Sequence, residues 1–149
     1  MIYLGDDWHV RATRVLTILF AAAFVVSVIH YTDNTVNYAD YPRSHSIPNP
    51  SQFLVGAAWF AFTAAGIAGY VLFRRGPSTA ALVLLALYSG SGLVGIGHYT
   101  VPGATSMPAW RQAHVVADIL LGIAMFGFVM WATRRRTLSA SRAPTPQPD

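Results

Sequence analysis

Four long apolar runs dominate the chain, and across all of them the only acidic, basic or imidazole side chains are His114 and Asp118, one helical turn apart. Each run is close to the roughly 20 residues that a helix needs to cross a hydrocarbon core. The composition agrees, with 54% hydrophobic and 11% charged residues, where an ordinary soluble domain carries about 25% charged. These features predict an all-α fold, an integral membrane four-helix bundle. Four spans use most of the 149 residues, so one domain is expected at residues 1–136. The Pro-, Ser- and Thr-rich stretch at 137–149 reads as a disordered cytoplasmic tail.

The flanks set the boundaries. The first run, residues 15–29, follows Arg11 and Arg14 and reaches spanning length at about residues 12–30. It ends in SVIHYTDN without a small-x-small cleavage site, which favours a retained anchor over a removed signal. The second run, 53–73, lies between Pro50 and the Arg74-Arg75-Gly76-Pro77 stop. The third covers about 79–97, and the fourth about 113–133 before Arg134, Arg135 and Arg136. Arginines thus cluster at the N-terminus, between the second and third helices, and after the fourth. The positive-inside rule places all three clusters, and both termini, on the cytoplasmic side of the plasma (cytoplasmic) membrane.

Both longer connections then face outward. The net charge of +4 is explained by this orientation, so no nucleic-acid partner is expected. The absence of cysteine excludes disulfides, thiolate metal sites and thiol nucleophiles. Trp110 and Trp131 bracket the fourth run as interfacial anchors.

Helices in lipid associate where small residues allow close approach. Ala57, Ala61, Ala65 and Gly69 form such a stripe on the second helix, Ala23 and Ser27 on the first, and Ser91 and Gly95 on the third. The glycine-rich outer half of the third helix either admits a neighbouring helix or leaves room for a flat ligand. The tripeptide His-Tyr-Thr closes both the first helix, at His30, and the third, at His98. This weak internal repeat suggests two parallel helical hairpins.

The polar residues of the outward side carry the chemical expectation. His30, His98, His114 and Asp118 all fall there, and His114 and Asp118 share one helix face. Three imidazoles and a carboxylate suffice for a divalent metal, and His30 with His98 at matching depth suit a bis-histidine haem. Met107, between His98 and His114, adds a soft donor of the kind copper takes. The loop from 31 to 50 is longer than a hairpin needs and reads as a cap over the mouth, carrying Asp33, Asn34, Asn37, Asp40, Arg43 and His45. Asp33, three residues after His30, and Asp118 are the candidate catalytic carboxylates, Asp33 as general base. Arg43 is a candidate anion-binding group.

No nucleophile elbow, phosphate-cradling glycine loop or H-E-x-x-H motif is present. The first expectation is therefore a membrane protein whose outward-facing His/Asp mouth binds a metal, haem or small polar ligand in a binding or accessory role. A metal-dependent enzyme acting on a lipid-phase substrate, and a small proton-coupled transporter or complex subunit, are the alternatives. The expected partners are the lipid bilayer, the ligand, and a second copy of the chain or a larger membrane complex.

Overall fold

The computed structural model describes residues 4–44 and 48–141. It contains four long helices, α1 (Leu4–Val36), α2 (Gln52–Arg75), α3 (Thr79–Leu93) and α4 (Ala109–Ala140). α3 tightens into a 3-10 stretch, Val94–Thr100, and short 3-10 turns lie at Tyr38–Asp40 and Ala104–Ser106. All four helical segments, with α3 taken together with its 3-10 extension, are long and apolar enough to cross a membrane.

Local chemistry fixes the ends. Ser51 and Ser78 cap α2 and α3, their hydroxyls accepting from the Leu54 and Ala81 amides, which satisfies donors that a helix start leaves free. α2 stops at Gly76, whose φ of 157° favours glycine and whose N–H returns to the Leu72 and Phe73 carbonyls. Pro77 then prevents continuation.

Each helix packs on the next, α4 closes against α1, and the diagonal pair α1 and α3 barely meets. The closest crossing is between α3 and α4, where a Cβ on Gly92 would stand 2.2 Å from the Asp118 carbonyl oxygen and one on Gly122 2.9 Å from that of Ser89. The glycines of α3 therefore chiefly admit a helix. Gly95 is also occupied, by Ile119 and the His30 ring, and only Gly97 faces open space.

On α2 the buried face is Thr63, Gly66, Gly69 and Phe73, where Gly66 meets the Tyr88 ring and Gly69 the Leu85 backbone. Of the expected stripe, Gly69 takes part while Ala61 is exposed. A register turned by a fraction of a helical turn suits the bulky α3 partners. Ala23, Ser27 and Ser91 are buried as expected.

The apolar core lies at the arginine end. Leu16, Phe73, Leu85, Met125 and Ala132 are almost fully buried there, with edge-on aromatic contacts between Phe73 and Phe128 and between Trp8 and Trp131. Two helices overrun their sequence limits. α1 continues past His30 to Val36, and α4 begins four residues early and runs through 137–140, into the stretch expected as tail. Residues 142–149, the rest of that tail, and His45 of the cap lie outside the described residues.

Candidate functional site

The continuation of α1 beyond His30 creates the site. It places His30, Tyr31, Asp33 and Asn34 on one helix, all four buried, at the end of the bundle away from the arginine clusters. His30 is 1% exposed and Asp118 2%. The imidazole Nδ1–H donates to Asp118 Oδ2 at 2.7 Å, a charge-assisted bond that fixes the ring and its tautomer. Asp118 is thus the partner of His30 and makes no hydrogen bond to His114, its neighbour on α4.

With Nδ1 committed, His30 turns Nε2 toward His98, whose own Nε2 lies 3.5 Å away, the limit of hydrogen-bond reach. His98 Nε2 also accepts from the Asn34 amide at 3.1 Å. The single in-plane lone pair of His98 Nε2 is thus engaged by Asn34, and His30 Nε2 remains an acceptor facing the cavity, placed to take a donor from a bound molecule.

Beside the two rings is a cavity of about 520 Å³. His30, Asn34 and His98 line its polar part, while Leu54, Val55, Ala58, Phe62 and Val94 form an apolar wall. The segment after α1 covers it as the cap expected from sequence, contributing Tyr38, Tyr41, Arg43 and Ser44 to the lining. The cap closes on itself through the Tyr38 hydroxyl, which donates to the Pro50 carbonyl, and through paired Ser44–Asn49 bonds of 2.9 Å.

A second polar cluster anchors this cap. Asp33 accepts from Arg111 Nε at 2.8 Å, from the Tyr41 hydroxyl at 2.5 Å and from Asn37 at 2.7 Å. Arg111 also reaches Asp40 at 3.5 Å, and its guanidinium stacks over the Tyr41 ring. Burial, reinforced by the bond to Asp33 and that carboxylate's charge, pushes the Tyr41 phenol well above its usual range. His114 Nε2 is 3.3 Å from Asp33 Oδ2, yet off the hydrogen-bonding direction, and both its ring nitrogens are buried without a hydrogen-bond partner.

The His30 ring lies close to both others, its centroid 5.6 Å from those of His98 and His114, but of the three only His30 and His98 line the cavity. The partners differ from those expected. Asp118 holds His30, and Asp33 is saturated by Arg111, Tyr41 and Asn37 and stands outside the cavity lining. Met107 is a core residue, packed with Tyr41 and Val115. Among the described residues no group of three or more His, Asp or Glu side chains is placed to hold a metal ion.

Sequence reasoning missed Arg111, which beside Trp110 reads as an interfacial anchor. It also missed Tyr31, whose hydroxyl donates to the Ser91 carbonyl at 3.0 Å. Its repeat counterpart Tyr99 is 36% exposed, so the two His-Tyr-Thr segments do not share an environment. Comparison with protein-family models, with curated proteins and with solved structures finds no match for this chain.

Proposed function

We propose that this chain is a multi-pass membrane protein, its termini cytoplasmic and its histidine end outward, that binds a small molecule with a polar head in the capped cavity. The observation that carries this reading is the Asp118–His30–His98–Asn34 chain of contacts, which leaves His30 Nε2 as an acceptor beside the Asn34-bonded His98 ring and a 520 Å³ space with apolar walls. Pockets with a few fixed polar groups in an apolar lining are the common form of small-molecule sites. On this reading the recurring His-Tyr-Thr of two parallel hairpins supplies one imidazole from each, His30 and His98.

The test is extraction of the full chain in mild detergent, with mass spectrometry of what co-purifies. A stoichiometric amphiphile that is lost in His98→Ala supports the reading. Its absence from wild type, with no saturable binding of any tailed probe, overturns it. An absorption spectrum and elemental analysis of the same sample read out the competing ligand classes: haem on His30 and His98, or a divalent metal drawing on His30, His98, His114 and Asp118.

One observation favours a second, enzymatic reading. A carboxylate bonded to Nδ1 leaves His30 Nε2 facing the cavity, the arrangement that positions an imidazole for general acid–base catalysis. His30 is then the base and Asp118 the residue that positions it. Asp33, expected from sequence as base, instead holds Arg111 and the cap. Turnover of a lipid-phase substrate, lost in His30→Gln while binding persists, identifies this reading.

A further inference from the structure

The chemical class of the ligand follows from what lines the cavity, on the reading that the cavity is a binding site. Arg43 is the only permanently charged side chain among the described residues that line it, and no aspartate or glutamate joins them. The other arginine at this end, Arg111, is already neutralised by Asp33 and Asp40. Among the described residues Arg43 has a cation–π contact alone, its guanidinium 4.9 Å from the Tyr38 ring centre. Stacked there, the guanidinium keeps its N–H edges free for an anion. Among the described residues the mouth therefore presents one uncompensated positive charge, followed inward by the His30 Nε2 acceptor and the His98 ring.

The apolar wall indicates where the rest of the molecule goes. Leu54 and Val94 line the cavity and are each 55% exposed, on helical segments apolar enough to lie in a membrane. The cavity thus shares these side chains with the lipid-facing surface. From Leu54 to Phe62 the wall follows α2 for about 12 Å at 1.5 Å per residue, much of one leaflet's hydrocarbon depth. A soluble anion would leave this wall unfilled, whereas an apolar tail entering from the bilayer covers it.

We infer that the ligand is a membrane amphiphile with an anionic head, a phosphate monoester or carboxylic acid on an apolar tail, held by Arg43 at the cap with its tail along α2. A singly protonated phosphate offers both complements at once: negative oxygens for the guanidinium and an O–H donor for His30 Nε2.

The test is calorimetric titration of the full chain in maltoside micelles with dodecyl phosphate, dodecanol and inorganic phosphate. Dodecyl phosphate is expected to bind saturably, and dodecanol about tenfold more weakly, the effect of losing one exposed charge-assisted contact. Inorganic phosphate is expected to show no binding. Arg43→Ala, at an exposed position where folding is not at stake, should weaken dodecyl phosphate about tenfold and leave dodecanol unchanged, with Arg43→Lys recovering most of the loss.

Equal affinity for dodecanol and dodecyl phosphate, or indifference to Arg43→Ala, overturns the anionic class. If both probes then still weaken in His98→Ala, the cavity remains a binding site and only its selectivity has been misassigned. Inorganic phosphate binding as tightly as dodecyl phosphate makes the site one for a soluble anion and overturns the amphiphile. Failure of both tailed probes to bind overturns this inference and counts against the cavity reading itself.

Discussion

Replacing Gly92 by alanine tests the contact on which the site's geometry depends. The added methyl would stand 2.2 Å from the Asp118 carbonyl oxygen, 3.0 Å from its carbon and 3.1 Å from the Gly122 nitrogen. All three atoms are backbone, so no side chain can rotate away. Ordinary contact returns only if α3 and α4 separate by roughly 1 Å. Overpacking of this kind costs about 3 kcal/mol, the upper part of its usual range, because two helices rather than one rotamer must move. Alanine's better helix propensity returns about 1 kcal/mol. The net loss is about 2 kcal/mol, which lowers the melting temperature by about 4–8 °C in a chain of this size.

Gly127, on the same helix as Asp118 but with nothing within 4 Å of its would-be Cβ, is the control. Gly127→Ala experiences only the propensity change and should be neutral or stabilised by up to about 1 kcal/mol. Unfolding of both variants in mixed micelles, followed by circular dichroism, measures the difference of about 3 kcal/mol expected between them. Nitrogen NMR of the His30 imidazole adds a local readout, since a displaced Asp118 backbone lengthens the 2.7 Å bond to Nδ1. A Gly92→Ala protein as stable as Gly127→Ala, with an unchanged His30 resonance, would refute the α3–α4 crossing described here.

Other expectations follow from the cap anchor and the dyad. Arg111→Gln leaves Asp33 without its cation and should destabilise by about 2 kcal/mol, less than the 3–5 kcal/mol of a deeply buried pair because both residues sit near the end of the bundle; Asp33→Asn in the same chain should recover part of that loss in thermal unfolding. Tyr41 has its folded-state pKa raised, so the stability tied to its protonated form is complete below about pH 10 and is lost as the pH rises further. Tyr41→Phe should shrink that alkaline loss in unfolding measured against pH, while lowering neutral-pH stability by about 1 kcal/mol for the missing bond to Asp33. Asp118→Asn keeps a hydrogen-bond acceptor for His30 and should fold normally, whereas Asp118→Leu strands the Nδ1 donor and should lower stability by about 1–3 kcal/mol, which melting of the pair will show.

The elements were legible because hydropathy and arginine flanks are local signals, and each of the four runs lies within a helical segment that formed. The polar residues were legible as a set for the same reason: a histidine or carboxylate next to membrane-length sequence stands out. Partner choice was not. His114 and Asp118 share a face by spacing, yet the crossing of α1 with α4 inserts His30, 88 residues away in sequence from Asp118, and rotates His114 toward Asp33. The overrun of α1 was hidden because Thr32, Asp33 and Asn34 are poor helix formers. They stay helical because Asp33 is anchored by Arg111 and Asn34 by His98, contacts that exist only after the bundle closes.

The distribution of these contacts divides the bundle into a half filled by apolar packing and a half joined by polar side chains, the half that the proposed function makes responsive to a ligand. At the arginine end aromatic and aliphatic packing fills the interior. At the histidine end α1 reaches every other helix through side chains: Asp118 and Arg111 on α4, the Ser91 carbonyl on α3 through Tyr31, and Trp59 on α2, whose indole donates to Ser27 at 3.2 Å. The diagonal from α1 to α3 has few backbone approaches, and it is bridged there by the facing His30 and His98 rings, with the cavity beside them. A molecule that donates to His30 Nε2 and packs on the His98 ring ties that diagonal together and binds the folded state alone. Ligand at 100 times its Kd should then raise stability by about 2.7 kcal/mol. In His98→Ala the bridge cannot form, so the same concentration should stabilise far less; an equal gain in both proteins would place the ligand away from the His30–His98 pair.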